Sequence, residues 1–241
     1  SCPHNCGICR GDNTLQLPEE TTEAERKITK EEQGNVLYRL LIEYEKSGKA
    51  VFYSHLNTMK IFERASQRAG LPVSYTKGFN PKPRIEFVHP LSLGVKGVKE
   101  IAGIIVYQQN DEDIVIESLN DALPQGVIVR KVKCEEYQRE DGKKQKSLMA
   151  QYYGARYQIH LINDTTKEFQ EKWEVHARNG ETIVAQEGED TVQVLLENDK
   201  NNGRGLISLV KKMYAHNWWA EMDIIRKSVL KSIHGEPNYY I

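Results

Sequence analysis

No stretch of this chain approaches the ~20 consecutive apolar residues that a membrane-crossing helix needs, and no basic-then-apolar leader opens it. Cysteine is nearly missing from the body of the chain. Three of the four cysteines fall within the first nine residues, which excludes a secreted disulfide framework. Net charge is nearly missing too, at −1 over 241 residues, so the chain as a whole is no polyelectrolyte. These absences predict a cytoplasmic protein with no membrane partner. The hydrophobic share is 39%, enough to bury a core as one large domain or two small ones. A start at Ser1 rather than Met predicts a chain processed or cut from something longer.

The small net charge hides one concentrated region. Between Lys49 and Glu100 nine Lys/Arg stand against three Glu, a local +6. A positive region on a near-neutral chain predicts an anionic partner.

The apolar pattern then places the elements. Val36–Glu45 alternates as a half-buried strand. Ser54 is an N-cap for a helix from His55 to Ala69, and Gly70 its C′ residue. Leu56, Met59, Phe62, Ala65 and Ala69 recur at helical spacing and are expected to form its buried stripe. Strands at Arg84–His89 and Glu100–Gln108, a helix at Asp113–Leu123 capped by Asp111, and a strand at Val127–Glu135 complete a β-α-β-β-α-β order, the ferredoxin-like arrangement. The order recurs in strand 156–162, helix 165–178, strands 181–186 and 191–197, helix 205–216 and strand 221–230. The expected class is therefore α+β, two ferredoxin-like units in tandem after a Cys-containing N-terminal segment. Boundaries fall at 1–33 for that segment and its charged linker, with a short helix at Glu19–Glu32, then 34–136, a linker at 137–154, and 155–241.

Several residues could carry chemistry. Lys60, Arg64 and Arg68 stand at i, i+4 and i+8, a basic stripe that a phosphate backbone, nearby Glu63 and Glu86, or plain solvent could neutralise. The following loop interleaves Tyr75, Lys77, Phe79, Lys82 and Arg84 on a backbone stiffened by Pro81 and Pro83. Its cations suit phosphates, and its aromatics could stack on unpaired bases; the alternative is a structural loop whose Phe79 plugs the core and whose Gly78 supplies a positive φ. His55 and His89, with Ser54 and Arg84, are candidates for acid–base catalysis, against the simpler reading of hydrogen-bonded side chains. The run 202–205 (Asn-Gly-Arg-Gly) before a helix could offer backbone N–H groups to a phosphate or be only a turn. Trp218 and Trp219 could stack a base or cover the second unit. Cys134, within a strand, reads as a small core residue.

Cys2, Cys6 and Cys9 form a C-x3-C-x2-C pattern whose thiolates can converge on zinc or an iron–sulfur cluster. The spacing is similar to the cluster signature of radical-SAM enzymes, but the barrel those enzymes need is not the pattern that follows. The alternatives are a small zinc or iron–sulfur knuckle, with His4 or an upstream residue as fourth ligand, and the severed end of a larger cysteine cluster.

One family resemblance emerges from the densest segment. Ser54-His55-Leu56, Phe62-Glu63-Arg64-Ala65, Arg68-Ala69-Gly70-Leu71-Pro72, Gly78-Phe79-Asn80-Pro81, Pro83-Arg84-Ile85, Pro90-Leu91 and Leu93-Gly94, followed by Glu100, closely resemble the signature of the bacterial radical-SAM-linked proteins, a family of unknown function. It departs after Glu100, at Ile101-Ala102-Gly103. Cys6-Gly7-Ile8-Cys9 resembles the Cys-Gly-x-Cys step ahead of this domain in fused members. The resemblance implies a radical-SAM protein as partner, fused or adjacent. Paired ferredoxin-like units are also similar in element order to CRISPR repeat-processing endoribonucleases. The leading expectation is a non-catalytic accessory domain that binds RNA, tRNA or rRNA, or another substrate of a radical-SAM modification system. An RNA-processing or RNA-modifying enzyme using His55, His89 and Arg84 is the second, and a domain docking on the radical-SAM partner through its basic face the third.

Overall fold

The computed structural model describes residues 36–137, 145–198, 205–214 and 217–241. The chain divides into Ser1–Asn35 and Val36–Ile241, and all described residues belong to the second unit. The expectations for Cys2, His4, Cys6 and Cys9, for the 19–32 helix, and for Asn202, Gly203 and Arg204 lie outside the described residues.

The fold is mixed α/β, with a nine-stranded sheet and, among the described residues, five α-helices. In chain order these are β1 (Tyr38–Lys46), α1 (His55–Arg68), β2 (Ile85–Phe87), β3 (Lys96–Val106), α2 (Glu112–Ala122), β4 (Val127–Glu136), β5 (Tyr152–Leu161), α3 (Thr166–His176), β6 (Glu181–Glu187), β7 (Thr191–Glu197), α4 (Leu206–Tyr214), α5 (Trp218–Glu221), β8 (Met222–Ile233) and β9 (Glu236–Asn238). Short 3-10 turns lie at Gly48–Phe52 and Met149–Gln151. The turns, α5 and β9 carry too little periodicity to be legible in the sequence.

The helices begin where side chains satisfy their first free N–H groups. Ser54 is extended and its hydroxyl accepts from Asn57 N at 3.1 Å. Asp111 accepts from Asp113 and Ile114, and Thr165 with Glu168 forms a capping box. Gly70, at φ +67°, turns the chain away from the end of α1.

The sheet runs β4-β1-β3-β8-β5-β7-β6, with β2 added to β3 and β9 to β8. All pairings are antiparallel except β3–β8, which is parallel through Lys96↔Ile225 and Gly97↔Arg226. One edge of β3 is thus divided. Its C-terminal part takes β2 at Ala102–Ile104, and its first residues take β8. The single parallel joint is where the two halves of the sheet meet.

Each half buries its own apolar cluster. Leu40, Ile42 and Tyr44 alternate along β1 and pack with Phe62 and Ala65 of α1 and Val115 and Leu119 of α2. Phe62 is fully buried, worth roughly 1.5–3 kcal/mol of transfer free energy, with its ring edge-on to Tyr44 at 4.9 Å. The second cluster joins Ile159, Val192 and Val194 to Phe169, Trp173 and Leu209, and reaches the first half through Leu41, Ile101 and Leu148. Leu148 is fully buried, and its carbonyl accepts from Tyr240 at 3.0 Å. Trp218 is buried while Trp219 is exposed. Cys134 is part-buried against the first cluster.

One expectation is corrected. The buried face of α1 is Thr58, Phe62, Ala65 and Ser66, while Leu56 is 67% and Met59 36% exposed. The two hydroxyls bury cheaply because each is satisfied within the helix: Thr58 donates to Ser54 O at 3.0 Å and Ser66 to Glu63 O at 2.9 Å. The helix is therefore rotated relative to the stripe that apolar spacing alone selects.

Candidate functional site

The exposed side of α1 carries the basic stripe. Lys60, Arg64 and Arg68, with Asn57, Ile61, Tyr53 and Pro124, line an open groove of about 520 Å³. Arg68 is anchored, its guanidinium donating to Ala122 O at the end of α2 at 2.9 Å. Lys60 and Arg64 pair with no carboxylate among the described residues. Two free cations one turn apart raise each other's cost by a few tenths of a kcal/mol, which an anion in the groove would reverse.

The segment after α1 forms a projecting hairpin. Ser74 N donates to Ile105 O and Arg84 N to Ser74 O, both at 2.8 Å, which tie its base to β3. Thr76 N donates to Lys82 O, and Lys82 N to the Thr76 hydroxyl at 3.0 Å. Lys77, Phe79 and Lys82 are exposed at its tip, Phe79 completely. Tyr75 is 38% exposed. Phe79 is therefore no core plug. Arg84 differs from the others. It is half-buried with its guanidinium over the Tyr137 ring at 5.0 Å, a packed cation–π contact. No hairpin residue lines the α1 groove.

The two histidines belong to a third place, the joint between the halves of the sheet. Arg226 is buried and forms a bidentate pair with Glu100, donating through Nε to Oε1 at 2.7 Å and through Nη2 to Oε2. Two further N–H groups donate to His89 O at 3.0 Å and Pro90 O at 3.1 Å, and Nη1 also faces His89 Nδ1 at 3.4 Å. Glu100 stands opposite Tyr44 in the ladder and arches over Gly97, where a Cβ would come within 2.6 Å of its Cγ. Lys46, also buried, donates to Tyr53 O at 2.6 Å. Burial disfavours the Arg226 cation, but Glu100 together with Tyr157 and Tyr152 offsets this and raises its pKa.

His89 stacks on Tyr152 with ring centroids 4.6 Å apart, and its Nδ1 lies 3.0 Å from Pro90 O and 3.4 Å from Arg226 Nη1. Burial, then the Arg226 charge, pushes its imidazole down to about 4, so it is neutral at pH 7. Burial and the charges of Lys46 and Arg226 also lower His55, whose ring meets Phe87 edge-on at 5.5 Å. Beside His89 is a cavity of about 70 Å³ lined by Tyr152, Tyr157, Leu196, Glu197, Asn198 and Gly205, room for about two waters. His55 and His89 thus share one electrostatic neighbourhood, while Arg84 sits apart on Tyr137.

Sequence reading missed Arg226, Lys46 and Tyr152, and named Glu100 only as a family residue. A signal for Arg226 existed. Met222, Ile224 and Arg226 share the inward phase of β8, and a cation in that phase requires a buried partner. Its partner is 126 residues away, beyond any local pattern.

Among the described residues no group of three or more His, Cys, Asp or Glu could hold a metal, and no helix is long and apolar enough to cross a membrane. The model of a family of uncharacterized proteins conserved in bacteria (DUF2344) matches residues 39–204. That is more than half of the 241 residues, and the chain belongs to this family. No curated protein matches it.

Proposed function

We propose that this member of the DUF2344 family is a non-catalytic accessory module that binds RNA, tRNA or rRNA, for a radical-SAM modification system in the cytoplasm. The observation that carries the reading is the α1 groove, in which Lys60 and Arg64 have no carboxylate partner among the described residues and Arg68 is fixed by a backbone carbonyl. Phosphates are positioned by such cations. The hairpin supplies Lys77 and Lys82 with Phe79 standing free between them, an arrangement suited to stacking an unpaired base at ~1–3 kcal/mol.

The strand orders β4-β1-β3-β2 and β8-β5-β7-β6, each antiparallel, support reading the scaffold as two ferredoxin-like units joined edge to edge. The radical-SAM link rests on the signature between Ser54 and Glu100. Cys2, Cys6 and Cys9 are proposed, from their spacing, as thiolate ligands of an iron–sulfur cluster or zinc, and metal analysis of the full chain with each replaced by Ser tests that.

Filter binding of bulk tRNA at low salt tests the main reading. The variant Lys60→Glu/Arg64→Glu/Lys77→Glu/Lys82→Glu should bind at least tenfold more weakly. Equal binding by variant and wild type would remove the RNA reading. The enzymatic alternative would instead require RNA turnover that is lost in His89→Gln and retained in the four-site variant.

A further inference from the structure

The rotation of α1 leaves apolar side chains in solvent at the opposite end of the helix from Arg68. Leu56 is 67%, Phe52 71% and Leu93 56% exposed, with Met59 at 36%. Leu56 and Met59 stand three residues apart on one face of α1, and Phe52 ends the 3-10 turn that leads into it. Gly94 N donates to Val51 O at 3.1 Å, which brings the backbone next to Leu93 beside the residue before Phe52. Four large apolar side chains grouped at one helix start mark an interaction surface rather than scattered exposure.

The charges around this patch identify what covers it. Lys49, three residues before Phe52, and Lys60, one turn after Leu56, are exposed, and Arg64 follows one turn further along. Glu63 is the single acidic residue between Lys49 and Arg64. A second copy of the chain would bring these cations against each other in a two-fold contact, which disfavours self-association. Nucleic acid offers phosphates but gives no partner for leucine and methionine.

We infer that Phe52, Leu56, Met59 and Leu93 form a docking site for a partner protein that presents an amphipathic helix, with apolar anchors on one face and carboxylates at its margins. The anchors cover the patch and the carboxylates meet Lys49 and Lys60. The site meets the RNA groove at Lys60, which both share, while the groove's other cations, Arg64 and Arg68, lie toward the C-terminal end of α1.

The test uses the full chain and a fluorescein-labelled helical peptide with Leu and Phe on one face and Glu elsewhere, beside a peptide with every Glu changed to Lys. The acidic peptide should bind saturably and the basic one at least tenfold more weakly. Leu56→Ser/Met59→Ser should weaken the acidic peptide at least tenfold and leave tRNA binding unchanged. Arg64→Glu/Arg68→Glu should do the reverse, weakening tRNA more than the peptide, so the two sites fail separately. No saturable binding of the acidic peptide, or equal binding of the two peptides, overturns the proposal. So does preferential binding to phosphatidylglycerol vesicles, or a concentration-dependent dimer that Leu56→Ser/Met59→Ser dissolves.

Discussion

Arg226 and Arg64 are the same side chain in opposite circumstances. Arg226 lies under the joint of the sheet, its N–H groups directed at Glu100 and two carbonyls. Arg64 stands on α1 in solvent with no carboxylate opposite it among the described residues. A buried guanidinium costs several kcal/mol of desolvation unless it is paired and hydrogen-bonded throughout, so Arg226 has no capacity left for a ligand. The exposed one keeps all of its hydrogen-bonding capacity for something outside the molecule. A charge count treats the two alike. Burial and partners separate a structural cation from one available for binding.

That contrast can be broken from its stronger side first. Arg226→Met leaves the Glu100 carboxylate buried without a partner, and a loss of about 3–5 kcal/mol in urea unfolding is expected. Arg226→Met with Glu100→Leu should recover much of it. A loss no larger than that of Arg64→Ala would show that the pair does not hold the joint.

His89 gives the next largest effect. Its folded pKa is held down to about 4, against about 6.5 in an unfolded chain. Above pH 6.5 both states carry the neutral ring and stability is at its full value. As pH falls from 6.5 toward 4 the unfolded chain takes up the proton first, so stability drops, on the order of 1–2 kcal/mol for a ring that is partly exposed. His89→Gln should flatten that part of the stability–pH curve. An unchanged curve would place His89 outside the joint's electrostatics.

Smaller still is the helix cap beneath the basic stripe. Ser54→Ala should cost about 1 kcal/mol by thermal unfolding, loosening the helix that aligns Lys60 and Arg64. Lys60→Ala and Arg64→Ala themselves should change stability by less than about 0.5 kcal/mol.

The ends of α1 were legible in the sequence because Ser54 and Gly70 act locally, through one hydroxyl and one backbone angle. So was the basic stripe, which needs only helical spacing. The rotation of α1 was not. Leu56 and Met59 look buried by spacing, yet Thr58 and Ser66 take the inward positions because each satisfies its own hydroxyl along the helix. The joint was legible only in fragments, as Glu100 in one half and an inward-phase Arg226 in the other. Strand β8 must first find β3 before those fragments meet.

Whether the exposed cations of α1 hold phosphates is read most directly from the salt dependence of tRNA binding. The logarithm of the affinity should fall linearly with the logarithm of salt concentration, and Lys60→Ala/Arg64→Ala should reduce the steepness of that line by about 2, one for each phosphate contact removed. An unchanged slope in a variant that remains folded would show that Lys60 and Arg64 hold no phosphate.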